Sequence, residues 1–146
     1  MKHYSPESFA KSQSVAFSLN RARNVMVMQM DAALKEFDIS GQQFGLMMAL
    51  RRGEASTPFE LSKQLRFDSG SMTRMLDKLE TKGLIARQRS VEDRRVVNLL
   101  ITEHGEQVMQ QALRIAPEVL NARLAHFTKE EFKEFNRLLA KFSEGA

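Results

Sequence analysis

The sequence predicts a mainly α-helical protein with one small β-hairpin, in which long helical ends flank a short mixed centre. Three observations predict it. The first is a change of period inside one stretch. Met72, Met75, Leu76 and Leu79 fall at i, i+3, i+4 and i+7, whereas Leu84–Arg87 and Val96–Ile101 read as two strands joined by the charged turn Ser90-Val91-Glu92-Asp93-Arg94. The second is the length of the helical stripes at both ends. The third is a series of helix-start signals that cut the chain into short pieces only near its middle.

In chain order, Phe9, Ala16, Leu19, Met26, Met30, Ala33 and Phe37 share a helical period, which predicts one long helix from about Pro6 to Phe37. Val15, Val25, Val27 and Met28 add apolar surface off that stripe. A helix apolar on more than one side needs more than one surface to pack against, and a partner subunit supplies it economically. Asp38-Ile39 ends this helix. Ser40 and Gln43 then form a capping-box pattern that opens a second, through Phe44, Met47, Met48 and Leu50 to about Arg52-Gly53. Thr57-Pro58-Phe59-Glu60 places Thr at the cap, Pro at the first helical position and Glu two residues later. The short helix that follows carries Leu61 and Leu65, and Leu65-Arg66-Phe67 links it tightly to the next, which is helix-turn-helix spacing.

Asp68 or Ser69 can cap the Met72–Leu79 helix, and Gly83 stands where it should stop. The face opposite its apolar stripe carries Ser71, Thr73, Arg74 and Lys78. A helix with hydroxyls and cations on one face, followed at once by an arginine-tipped hairpin, has the shape to enter a major groove while the hairpin reaches the neighbouring minor groove or backbone. Beyond the hairpin, Thr102 can cap a long helix to about His126 with Val108, Met109, Ala112, Ile115, Val119 and Leu120 inward. Pro117 lies within it and removes one backbone donor, which predicts a bend. Thr128-Lys129-Glu130-Glu131 is a further capping box, with Phe127 and Phe132 placed as its staple. Phe132, Phe135, Leu138, Leu139 and Phe142 stripe the last helix. The expected division is a helical dimerisation region, 1–37 with 103–146, around a DNA-binding centre, 38–102.

The charge distribution agrees. The 146-residue chain has a net charge of +4, and residues 51–95 hold 11 Lys and Arg against 7 Asp and Glu. Residues 1–50 hold 5 against 4, and residues 96–146 hold 6 against 7, so the excess sits in the middle. Several classes are disfavoured. No apolar run reaches membrane-spanning length, and Met1-Lys2-His3-Tyr4 opens no secretory core, so a cytoplasmic protein with no membrane partner is expected. With no cysteine there are no disulfides or thiolate metal sites, and His3, His104 and His126 are too scattered for a zinc set. Neither a Gly-rich phosphate loop nor an acid pair in an evident cleft argues for an enzyme. No metal and no cofactor are expected.

The run Asp93-Arg94-Arg95-Val96-Val97-Asn98-Leu99-Leu100-Ile101-Thr102-Glu103-His104-Gly105 resembles the wing signature of the MarR family, D-x-R followed by a strand and L-T-x-x-G, with Ile101 in place of Leu. Ser71-Met72-Thr73-Arg74, Leu79-Glu80 and Lys82-Gly83-Leu84 are similar to that family's recognition-helix pattern S-x-x-T-R…L-E-x-K-G-L. Here one residue fewer separates Ser71 from Arg74, and Ser69 offers the alternative spacing. The resemblance extends over essentially the whole chain. It implies a winged helix-turn-helix homodimer on double-stranded DNA, most often a repressor of a pseudo-palindromic operator, released by a small anionic or phenolic ligand.

The resemblance also implies residue roles. Arg95 would enter the minor groove, with Asp93 orienting its guanidinium through a charge-assisted hydrogen bond. Ser69, Ser71, Thr73 and Arg74 would face the major groove, and Arg74 can take guanine O6/N7 or a phosphate. Lys63, Lys78, Arg87, Arg89 and Arg94 are candidate phosphate contacts, which position without reading sequence. An effector would lodge where the first, second and post-wing helices meet, which sets Phe44, Met47 and Met48 opposite Asn20, Arg23 and Met26. An arginine beside thioethers and a ring suits an aromatic carboxylate. The same methionines and phenylalanine at helical spacing also suit plain core. With no tryptophan, the urate-responsive pattern of the family is unsupported, and with no cysteine its thiol-based peroxide sensing is absent. A winged helix that binds protein instead of DNA remains the competing reading, because fold alone does not fix function.

Overall fold

A computed structural model describes residues 1–145. Among the described residues there are seven α-helices and one hairpin, where the sequence predicts six helices and a hairpin in the same order. They are α1 (Pro6–Lys11), α2 (Val15–Leu34), α3 (Gly41–Arg51), α4 (Pro58–Leu65), α5 (Ser69–Thr81), β1 (Ile85–Arg89), β2 (Val97–Ile101), α6 (Glu103–Arg123) and α7 (Lys129–Glu144). The architecture is a helix-turn-helix with a two-stranded wing, carried between longer helices.

Local side-chain chemistry sets most of these boundaries. Ser40, Asp68, Thr102 and Thr128 each accept a backbone N–H from the third residue on, and the boxes at Ser40/Gln43 and Thr128/Glu131 are closed in both directions. Thr57 caps α4 in the same way, but Glu60 reaches past it to the N–H of Ser56 at 3.0 Å. At the end of α5, Gly83 adopts φ 73°, and its N–H and that of Leu84 return to the carbonyls of Glu80 and Leu79. This left-handed cap holds Leu84 out of the strand, so β1 begins at Ile85 and runs on to Arg89.

Two long-helix expectations are corrected. The first helix is not continuous from Pro6. It breaks at Ser12–Ser14, where Ser14 caps α2 and the Tyr4 hydroxyl accepts the N–H of Val15 at 2.9 Å. At its other end α2 passes into a 3-10 turn, Lys35–Phe37, closed by Asp38 in the left-handed region. The post-wing helix stops at Arg123, three residues before His126, and α6 is one helix across Pro117.

One core lies beneath the hairpin. Leu34 of α2, Leu46 and Met47 of α3, Leu61 of α4, Met72, Leu76 and Leu79 of α5, Ile85 and Leu99 of the wing, and Val108, Met109 and Ala112 of α6 form a single buried cluster. It crosses both expected boundaries, near 37 and 102. The strands pair antiparallel with Ile85 opposite Ile101 and Arg89 opposite Val97, and Leu99 donates to the Ser56 carbonyl at 2.8 Å, tying the wing to the α3–α4 link. The ends differ sharply from this centre. α1 and α7 bury no residue, and α2 buries only its last, Leu34.

Candidate nucleic-acid interface

α5 packs Met72, Leu76 and Leu79 inward, which leaves Ser69, Thr73, Arg74 and Lys78 exposed on the other side. The first turn of this face is internally bonded. Asp68 accepts the Ser71 N–H at 2.8 Å and the Ser71 hydroxyl at 2.7 Å, and Arg74 Nη2 donates to Ser71 Oγ at 3.2 Å. These bonds hold the Asp68 carboxyl below its ordinary value, the Ser71 hydroxyl contributing most. The Thr73 hydroxyl donates to the Ser69 carbonyl at 2.8 Å, so its lone pairs are what it offers outward.

The wing tip carries the pair expected from D-x-R. Arg95 Nε and Nη2 meet the two oxygens of Asp93 at 3.1 and 3.2 Å, and the Arg95 N–H reaches Asp93 Oδ1 at 3.0 Å. The side chain of Arg95 is 90% exposed while that of Asp93 is 42% exposed, so the carboxylate sits inward and the cation projects. The Arg95 side chain, then its backbone N–H, lowers the Asp93 carboxyl below its ordinary value. Arg94 is exposed beside it, and Arg89 donates to the Arg94 carbonyl at 3.3 Å, bracing the loop from its base. Lys63 is exposed on α4, its ammonium 5.7 Å from the centre of the Phe59 ring.

Arg87 departs from expectation. Its guanidinium lies 2.8 Å from Asp77 and 3.6 Å from Glu80, both on α5, so its charge is spent on bracing the wing against the helix. Lys82 performs a related role that the sequence reading did not assign. It donates to the Asp38 carbonyl at 2.6 Å and to Gln43 Oε1 at 3.1 Å, joining the end of α5 to the α2–α3 corner. The L-E-x-K-G-L match ran through Lys82, but its partners stand 44 and 39 residues away, beyond any local signal.

The six effector-pocket residues are not brought together as one lining within the chain. Met47 is fully buried in the core, and Phe44 and Met48 pack partly buried against it. Asn20, Arg23 and Met26 are exposed on α2, and Met30, one turn later, is the methionine that packs on the core and faces Gly41. Met47 is therefore corrected from pocket wall to core. Among the described residues no group of acidic, His or Cys side chains could hold a metal ion, and no helix is long and apolar enough to cross a membrane.

Paired short helices, a projecting helix with a polar outer face and an arginine-tipped wing define a winged helix-turn-helix protein. Comparisons with known proteins give the family. Residues 39–97 match the model described as "MarR family". The chain is 31% identical to the multiple antibiotic resistance protein MarR of Escherichia coli over 84% of this chain and 89% of that protein. It is likewise 31% identical to the organic hydroperoxide resistance transcriptional regulator of Bacillus subtilis, over 86% and 84%. In structure it resembles a mutant E. coli MarR complexed with operator DNA, with a TM-score of 0.81 and 26% identity over 88% of this chain and 92% of that one. The fold is shared with the organohalide-sensing regulator RdhR-CbdbA1625 in its 2,4-dichlorophenol-bound form, at a TM-score of 0.79 and 22% identity over 97% and 86%. The chain belongs to the MarR family of DNA-binding transcriptional regulators, and it is not an enzyme.

Proposed function

We propose that the protein is a homodimeric repressor of a pseudo-palindromic operator. In each half-site α5 would enter the major groove with Ser69, Thr73 and Arg74, while Arg95 enters the flanking minor groove. Lys63, Lys78, Arg89 and Arg94 would contact phosphates, and Asp93 would act by orienting Arg95. The observation that carries this reading is the Asp93–Arg95 pair, a bidentate clamp that holds a projecting guanidinium at the wing tip. A cation on a mobile loop loses rotamer entropy on binding, and one already clamped loses less.

The dimer is supported by what the chain leaves uncovered. Phe132, Phe135, Leu138 and Phe142 of α7 and Met26 and Met28 of α2 are exposed, and these helices bury almost nothing within the chain. Two copies would have to hold their α5 helices about 34–36 Å apart to read successive turns. The effector we propose is a small aromatic anion or phenol, in keeping with the chlorophenol bound to the neighbour above. It would enter beside the exposed Asn20, Arg23 and Met26, against Phe44 and Met48, and release DNA by favouring a spread dimer.

A gel shift on DNA upstream of the chain's own coding sequence tests the reading. Wild type should bind with steep salt dependence, and R95A should bind about tenfold more weakly with its dimer intact. Equal affinity of R95A and wild type would refute the wing assignment. Adding aromatic acids and phenols to the same assay should release the duplex; retention across the panel would refute the effector class.

A further inference from the structure

From the cap of α5 into its second turn, Asp68, Ser71 and Arg74 stand in series, and the series has a direction. The Ser71 hydroxyl gives its proton to Asp68 Oδ2 at 2.7 Å, and its oxygen accepts from Arg74 Nη2 at 3.2 Å. Ser71 is thereby an acceptor toward Arg74, and the Asp68 carboxylate stands behind it as the negative end of the chain. Gly70 makes room for this. A Cβ there would lie 3.3 Å from Asp68 Oδ1 and 3.4 Å from Arg74 Nη1, so the carboxylate and the guanidinium close over a position without a side chain. Arg74 uses one of its five donors in this bond, and the rest of its fork is free at the end of the helix that meets base edges.

We propose that Asp68 and Ser71 are positioning residues for base reading: they aim the Arg74 fork at a guanine and touch no base themselves. Ser71, expected from the sequence to face the groove as a reader, becomes the middle link of a relay. This inference rests on the proposed reading of DNA by α5. It adds that the specificity of Arg74 depends on two side chains that cap the helix.

The relay can be separated from the cap. In D68N the side-chain carbonyl still accepts the residue 71 N–H, and Asn caps as well as Asp, so the helix keeps its start. The amide nitrogen, however, donates where Oδ2 accepted, and the charge behind Ser71 is gone. S71A removes the middle link and leaves its backbone N–H on Asp68. The test uses the full-length protein and a duplex selected by the wild type from a random library. Each guanine of the half-site is then replaced in turn by 7-deazaguanine, which lacks N7. The readouts are the affinity ratio at each position, the salt slope and Tm.

R74A should erase the wild-type preference at one guanine, a change of about threefold to fivefold, because 7-deazaguanine removes one acceptor of a bidentate contact and keeps O6. D68N and S71A should lose most of the same preference at the same position, with the salt slope unchanged and Tm lowered by no more than about 4 °C, as loss of one exposed bond would do. If both variants keep the full preference while R74A loses it, Asp68 is a helix cap only and the relay is wrong. If they weaken binding to every duplex alike and lower Tm by more than that, the role is structural and the relay is wrong again. If R74A itself keeps the preference, the reading of α5 by Arg74 fails, and the relay with it.

Discussion

Replacing Gly105 by alanine sets two known effects against each other, and the structure says which wins. Gly105 lies in the first turn of α6, where glycine is intrinsically poor and alanine should stabilise by up to about 1 kcal/mol. A Cβ at this position would overlap the carbonyl oxygen of Leu84, and would lie 3.0 Å from its carbon and 2.9 Å from Ile101 Cγ2. The obstructing group is backbone held from both sides. The Leu84 N–H bonds to Leu79 at 3.0 Å, and its carbonyl accepts Thr102 at 3.1 Å. It cannot swing aside as a flexible side chain would. Overpacking of this kind costs about 1–3 kcal/mol, with the upper end apt where main chain must move. The net expectation is a loss of about 2 kcal/mol. For a chain of this size that lowers Tm by about 4–8 °C at fixed protein concentration. Gly45 is the internal control. It lies within α3 with nothing inside 4 Å of its would-be Cβ, so G45A should gain about 0.5–1 kcal/mol and raise Tm. Thermal and urea melts of the two variants decide the matter. A G105A protein that melts at or above wild type would refute the close approach of α6 to the wing root.

Four further outcomes are expected. R87A should cost only about 0.5–1 kcal/mol in a urea melt, as a part-exposed pair does, yet weaken operator binding by loosening the wing from α5; affinity equal to wild type would show the brace idle. K78A should lower the slope of log affinity against log salt by about 1 per half-site without changing sequence preference, and an unchanged slope would remove Lys78 from the phosphate contacts. Asp68 and Asp93 both have folded-state values below the ordinary 3.8, so their bonds contribute fully above that value and fade as pH falls through the folded value. Stability and DNA binding should therefore show no transition from these carboxyls between about pH 5 and 8, and one there that vanishes in D93N would contradict the assignment. Truncation before Thr128 should yield monomers or aggregates in sedimentation, and a well-behaved dimer would take the interface away from α7.

How much was legible follows from how far each interaction reaches along the chain. The caps at Ser40, Thr57, Asp68, Thr102 and Thr128 are side-chain bonds to a backbone three residues on, so a sequence window contains the whole cause. The Asp93–Arg95 clamp is equally local, so the pair that the family resemblance implies through D-x-R lies within one short window. The break at Ser12–Ser14 was hidden because the apolar stripe continues across it in period, while the Tyr4 hydroxyl that meets Val15 comes from eleven residues away. Arg87 and Lys82 were beyond reach for the same reason: a cation is visible in sequence, and the carboxylate or carbonyl that consumes it is not.

Met47 shows a different limit. Methionine at helical spacing satisfies both a core and a ligand wall, since the period specifies a face and says nothing about what lies opposite. Met47 itself is fully buried in the cluster that holds Leu34, Leu46, Met72 and Met109, and the position is closed. Opposite Met26 and Met28 the described residues place solvent, and there the chain's own packing ends. The apolar faces of α2 and α7 are thus the part of the sequence that one chain cannot explain. On the proposed reading of two half-sites the subunits must be held at one spacing, and these faces are the surfaces that proposal assigns to set it.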